Sequence, residues 1–216
     1  MRLHALVPAA GRAERFGSAK LLARWQDQEL LGHVLQALAG ARAAGLVTDT
    51  LVTHRPADAA VRALALAHQA TPVALRDGEE DLSDSLRSGM AEVQRRSSAR
   101  EPAAVLICLA DQPLLRIEVI RALRDAWRGG ACVAVRPSYR ESPGEPGHPL
   151  LLDRTLWRYA AELRGDRGFG PVLEHAGVTI RAISVGGQNP DIDTPEDLAG
   201  LDHPAASPPS SPSPPS

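Results

Sequence analysis

Short apolar runs alternate along the chain with longer stretches in which apolar residues recur every three or four positions. The runs predict strands at residues 3–7, 50–53, 71–75, 104–109, 132–135 and 178–185. Between them the spacing predicts helices at 29–38, 57–68, 84–95, 117–127, 154–164 and 171–175. In the first of these, Leu30, Leu31, Val34, Leu35 and Leu38 recur as one buried helix face. Strand–helix alternation of this kind favours an α/β fold in three layers around a mainly parallel sheet. The length suits one sizeable domain, placed at residues 1–203, and no internal repeat is present. From Pro204 to Ser216 the chain is almost entirely Pro and Ser, so this tail is expected to be disordered.

Charge changes the picture mainly by exclusion. The formal net charge is −2 and there is no basic run, which argues against nucleic acid as a partner. No apolar stretch reaches membrane-spanning length, and Met1-Arg2-Leu3-His4 does not begin a signal peptide, so a cytoplasmic location is expected. Cys108 and Cys132 lie in apolar runs without metal-ligand spacing and are expected to be buried free thiols.

One composition bias points to chemistry. Lys20 is the only lysine, all other side-chain cations of the Lys/Arg class being arginine. It closes a loop that follows the first strand: Pro8-Ala9-Ala10-Gly11-Arg12-Ala13-Glu14-Arg15-Phe16-Gly17-Ser18-Ala19-Lys20. Small residues let backbone N–H groups of Ala9, Ala10 and Gly11 approach an anion, and Arg15 with Lys20 would neutralise it. A compact ammonium suits a phosphate oxygen in a pocket too tight for a planar guanidinium. The loop is therefore a candidate polyphosphate cradle.

Ligands of open α/β sheets bind at the carboxyl ends of the strands, and four further loops fall there. In Asp81-Leu82-Ser83-Asp84-Ser85, Ser83 or Asp84 is a cap for a helix starting near Ser85, or the hydroxyls meet an anion. Asp111, after the most apolar strand, is either a Mg²⁺ ligand or a turn cap. His148 lies in a Gly- and Pro-rich turn and carries little weight by itself. In Asp191-Ile192-Asp193-Thr194-Pro195-Glu196-Asp197, capping accounts for Thr194, Pro195 and Asp197. Alternation around Ile192 directs Asp191 and Asp193 away from the core, and either is a second acidic ligand for the metal of Asp111.

Together these pieces resemble the small nucleotidyltransferases that make molybdenum cofactor dinucleotides, and among them the cytidylyl-transferring branch. The opening pattern A-A-G-x-S-x-R-M-G-x-x-K is met by Ala9-Ala10-Gly11, Arg15, Gly17 and Lys20, with Ala13 for the serine and Phe16 for the methionine. S-L-x-x-G is met by Ser85 to Gly89, D-Q-P by Asp111-Gln112-Pro113, and G-H-P by Gly147-His148-Pro149. G-D-x-G is met by Gly165 to Gly168, and D-T-P-E-D-L by Asp193 to Leu198. Relatives commonly continue G-D-x-G with Ala-Arg, where this chain has Phe169-Gly170.

The resemblance implies a Rossmann-like fold of the nucleotide-diphospho-sugar transferase type. It implies transfer of CMP from CTP to the phosphate of a molybdopterin-type acceptor, with release of pyrophosphate and possible handover of the product to a molybdoenzyme. Arg15, Lys20 and Asp111 would be the catalytic residues, with Ala9, Ala10, Gly11 and Ser85 also on the nucleotide. Asp111 and Asp193 would hold Mg²⁺. His148 would bind the acceptor, with Arg167 replacing the arginine absent at Gly170. The rivals are another phosphorylated acceptor, GTP in place of CTP, and a non-catalytic nucleotide-binding accessory protein. The methylerythritol-route cytidylyltransferases share the opening motif but usually carry Arg-Pro where Gln112-Pro113 stands. A dehydrogenase is disfavoured by the lack of GxGxxG after the first strand.

Overall fold

The computed structural model describes residues 1–11, 20–98, 100–128, 130, 132–142 and 144–201. The predicted loop cation Arg15 and the Pro/Ser tail lie outside them.

The strands are β1 (Arg2–Pro8), the short β2 (Arg24–Trp25) and β3 (Gln28–Glu29), β4 (Asp49–His54), β5 (Thr71–Ala74), β6 (Ala103–Ile107), β7 (Ala134–Tyr139), β8 (Leu150–Asp153) and β9 (Arg181–Val185). β2 and β3 pair as a separate antiparallel ribbon, and the other seven form one sheet in the order β5-β4-β1-β6-β8-β7-β9. β1 pairs parallel with β4 and β6, β4 with β5, and β7 with β9. β8 alone runs against its neighbours β6 and β7.

Helices α1 (Leu30–Ala43), α2 (Ala59–Ala67), α3 (Leu82–Arg96), α4 (Ile117–Arg128), α5 (Phe169–His175) and α6 (Pro195–Gly200) complete the chain, with 3-10 segments at Lys20–Leu22 and Arg154–Glu162. Side chains alternate across a strand, so a strand covered on both faces reads as a continuous apolar run. In β6 and the residue after it, Ala104, Leu106 and Cys108 join one core with Leu31, Leu35 and Leu38 of α1 and Ile120 and Leu123 of α4. Ala103, Val105 and Ile107 join the other, with Leu86 and Met90 of α3 and Leu173 of α5. This is the three-layer, mainly parallel α/β fold that the alternation predicts.

Several boundaries differ from the sequence expectation. The strand expected at 132–135 begins at Ala134 and continues to Tyr139, so Cys132 lies outside it and is only half-buried. Burial holds the Cys108 thiol far above its ordinary pKa. α3 starts at Leu82 with Asp81 as its N-cap, because Asp84 folds back to accept the backbone N–H groups of Glu80 (2.8 Å) and Asp81 (3.1 Å). The expected helix at 154–164 is a 3-10 segment. β8 was not expected. It brings Ile107, at the exit of β6, opposite Leu150, at its own start. Reversal of this one strand therefore delivers the residues that precede it to the carboxyl edge of its neighbours.

Candidate active site

Four loops converge at that edge. β1 runs out into Pro8-Ala9-Ala10-Gly11, where the Ala9 N–H is taken by the Thr53 carbonyl of β4 (3.1 Å). Ala9 thus ties the loop to the sheet, and Ala10 and Gly11 keep N–H groups with no partner among the described residues. A Cβ on Gly11 would meet open space.

Lys20 opens a 3-10 turn and is only 8 % exposed. Its Nζ donates to Asp111 Oδ2 at 2.6 Å and to Asp193 Oδ1 at 2.7 Å. Burial works against the charge, but the hydrogen bonds and ion pairs with both carboxylates outweigh it and lift the Lys20 pKa above its usual value. The lone lysine of the chain is therefore a fixed cation clasped by the two predicted metal ligands, which lie 91 and 173 residues away.

The loop after β9 is stitched to the loop after β6. Ile192, 1 % exposed, anchors it, and its N–H donates to the Asp111 carbonyl at 3.1 Å. Gln112 Nε2 donates to Asp191 Oδ1 (2.9 Å), and Asn189 Nδ2 donates to Gln112 Oε1 (3.2 Å). Asp191 and Asp193 are exposed on either side of buried Ile192, as the alternation predicts. Burial and the neighbouring Asp111 charge push the Asp191 pKa up. Thr194 caps α6 by accepting from the Asp197 N–H (3.1 Å), while Asp197 accepts from the Thr194 N–H (2.8 Å).

Two adjoining cavities open here. The smaller, about 250 Å³, is lined by Pro8, Ala9, Gly11, Lys20, Asp111 and Asp193 among others. The larger, about 720 Å³, has apolar walls that include Leu86, Ile107, Leu150 and Phe169, with His148 and Arg136. Leu82 and Leu109 line both, so the two spaces share a wall. The charges of Asp111 and Arg136 act on His148 in opposite senses, Asp111 raising its pKa and Arg136 lowering it. Burial is the chief reason its pKa falls to about 4, which leaves a neutral imidazole near neutral pH. Tyr139 Oη holds the turn by donating to the His148 carbonyl at 2.7 Å.

The structure brings Lys20, Asp111 and Asp193 together, places Ala9 and Gly11 beside them, and puts His148 in the second cavity. It does not bring Ser85 or Arg167 to either. Ser85 is fully buried on α3 with its hydroxyl unpartnered, a turn inside the helix that starts earlier than expected. Arg167 is exposed and lines neither cavity. Arg136 was missed because the predicted strand stopped at Val135. Gln112 and Asn189 were missed as a pair because nothing local joins them.

The profile of the MobA-like NTP transferase domain matches residues 5–180. The chain belongs to that family. No curated protein sequence matches it. Among solved structures, Rv0371c from Mycobacterium tuberculosis H37Rv is 30% identical with a TM-score of 0.74, over 93% of this chain and 98% of that one. Rv0371c in complex with manganese superposes with a TM-score of 0.71 at 28% identity over the same shares. The CMP:2-keto-3-deoxy-manno-octonic acid synthetase complexed with CTP is 16% identical with a TM-score of 0.71, over 93% of this chain and 97% of that one, a likeness of fold.

For a MobA-like NTP transferase, the carboxylate pair is the feature that bears on a metal. Oxygens of Asp111 and Asp193 already converge on one cation, the Lys20 ammonium. Among the described residues no group of three or more His, Cys, Asp or Glu is placed to hold a metal ion. One or two carboxylates completed by substrate phosphates and water are the donor set that Mg²⁺ takes, so the residues present fit it.

Proposed function

We propose that this chain transfers CMP from CTP to the phosphate of a molybdopterin-type acceptor in the cytoplasm, releasing pyrophosphate, with Asp111 and Asp193 holding Mg²⁺. The observation that carries the reading is the Lys20–Asp111–Asp193 cluster in one cavity beside a second, larger cavity. The Ala9-Ala10-Gly11 triplet resembles that of cytidylyl-transferring relatives, and a structural neighbour of the same fold is a CTP-bound synthetase.

The triphosphate occupies the smaller cavity, with the free N–H group of Gly11 and the Lys20 ammonium on its oxygens, while Ala10 is buried behind the lining. An oxygen of the acceptor phosphate bonds to the α-phosphorus as the bond to the bridging oxygen breaks, and pyrophosphate leaves with that electron pair. Lys20 neutralises charge that builds on the leaving group, at a position fixed before substrate arrives. Mg²⁺, when bound, supplies further charge neutralisation across the reacting phosphates. An ionised phosphate needs no base to attack. The neutral His148 ring orients the acceptor by hydrogen bonding and carries no proton between reactants. Handover to a molybdoenzyme would follow release of the dinucleotide.

The test is pyrophosphate release with each of the four NTPs, with and without molybdopterin. CTP with molybdopterin should be the productive pair. Equal or better turnover with GTP would reassign the nucleotide. Turnover only with a different phosphorylated acceptor would reassign the second substrate, and no turnover with any pair would leave a nucleotide-binding accessory protein.

A further inference from the structure

We infer that Arg136, on β7, is the anion anchor of the larger cavity, and that it takes the phosphate of a monoester whose body makes apolar as well as polar contacts there. This rests on the reading that the larger cavity receives the acceptor, and it names the residue that the reading leaves open.

The strand geometry explains why a charge is found there. β7 pairs with β8 only through Ala134 and Val135, opposite Leu152 and Leu151. Beyond that point β7 continues beside β9, with Arg136 opposite Ala182, and has no β8 partner. Arg136 is the first residue past the end of the β8 pairing, and it lines the cavity that lies there. Among the described residues it is the only Lys or Arg in that lining, and it makes no hydrogen bond or ion pair with any of them. Other arginines are engaged within the fold, as Arg96 is with Glu92 and Arg87 with Asp84. A half-buried guanidinium without a partner, facing a cavity, presents its donor fork to a ligand.

The rest of the lining defines the body of that ligand. Leu86, Ile107, Leu150, Phe169 and Val178 offer apolar contact, while His148, Glu174 and Thr179 add polar groups to the same lining. The backbone beside Arg136 is also closely fitted. A Cβ on Gly147 would fall 2.4 Å from the Pro137 carbonyl oxygen, so the turn carrying His148 lies against β7 with no room for a side chain. His148 lines the same cavity as Arg136.

The experiment uses the full chain without nucleotide and phenyl phosphate as the probe, followed by calorimetry or ³¹P line broadening. Inorganic phosphate and phenol are the two half-probes. The parent should bind phenyl phosphate more tightly than either half. Arg136→Gln should weaken phenyl phosphate by about tenfold or more and leave phenol unchanged. Arg136→Lys, with its charge kept, should fall between them and guards against loss of folding, which thermal melting reports. An unaltered affinity in Arg136→Gln, or a loss seen instead in Arg167→Gln or Lys20→Ala, would overturn the assignment. Equal binding of inorganic phosphate and phenyl phosphate would overturn the apolar contacts to the body. CTP binding, measured separately, distinguishes the two readings: its failure would remove the nucleotide assignment while a loss at Arg136→Gln would still stand.

Discussion

A buried ammonium between two carboxylates has a direct consequence for the order of events. Lys20 occupies the convergence point of Asp111 and Asp193, and a divalent cation entering there meets a fixed like charge. At about 4 Å and an effective dielectric of about 20, repulsion between a divalent ion and one unit charge amounts to roughly 8 kcal/mol. Triphosphate oxygens on the ammonium would offset its charge and ease entry of the cation. Mn²⁺ should therefore bind the nucleotide-free protein weakly and bind the Lys20→Ala variant at least about tenfold more tightly, as read by electron paramagnetic resonance of free Mn²⁺. No gain in the variant would mean that Lys20 does not guard the carboxylates. The same variant should lose CTP affinity by about 10- to 150-fold, the worth of one charge-assisted contact. Lys20→Arg should not restore it, since a planar fork does not match a position built for a point charge. His148 makes the second residue-scale prediction. Below its ordinary value of 6.5 the unfolded chain takes a proton that the folded chain, with this pKa near 4, refuses. Stability therefore falls as pH drops from 6.5 through about 4, by up to about 3 kcal/mol from this group. His148→Gln should flatten melting temperature against pH in that window, and parallel curves would show the ring is not buried neutral.

At the scale of elements, what could be read from the sequence was what repeats. The apolar runs of β1, β4 and β6 and the face of α1 carry their period in neighbouring residues, so their existence was legible and their ends were off by a few positions. β8 was not, because Leu150-Leu151-Leu152 is a run of three apolar residues directly after Pro149, with no alternation to separate it from a turn. With β8 went Arg136, whose exposure to the cavity depends on where β8 stops pairing. Lys20, Asp111 and Asp193 were legible one by one, from a composition bias and from strand ends, whereas their mutual contact needs the sheet order. Helix α3 shows how tightly one of these pieces is set. A Cβ at Gly89 would lie 2.3 Å from Leu6 Cδ1 and 2.9 Å from its Cδ2, and Leu6 is fully buried in β1. Gly89→Ala must push α3 off the sheet or force Leu6 from its rotamer, at about 1–3 kcal/mol. Better helix propensity returns up to about 1 kcal/mol. Chemical denaturation should show a net loss of about 1–2 kcal/mol, and a neutral result would mean that the helix rides higher on β1.

For the whole molecule, the decisive relation is that two cavities lie side by side at one sheet edge and share Leu82 and Leu109. Both substrates can be present at once, which favours direct transfer over a covalent nucleotidyl-enzyme. The side chains at the junction agree. Lys20 is a protonated ammonium held by two carboxylates and has no lone pair to offer phosphorus. Asp111 and Asp193 are engaged with it. Asp191, also in the smaller cavity, accepts from Gln112, and His148, neutral and therefore chemically competent, lines the larger cavity instead. Initial rates measured at several concentrations of both substrates should give intersecting double-reciprocal lines, the pattern of a ternary complex. Incubation with CTP labelled at the α-phosphate, without acceptor, should leave the protein unlabelled. Parallel lines with a labelled protein whose label disappears in His148→Ala would replace direct transfer by two displacements through the imidazole. The acceptor cavity would then serve both half-reactions in turn, and His148 would cease to be a positioning residue and become the nucleophile.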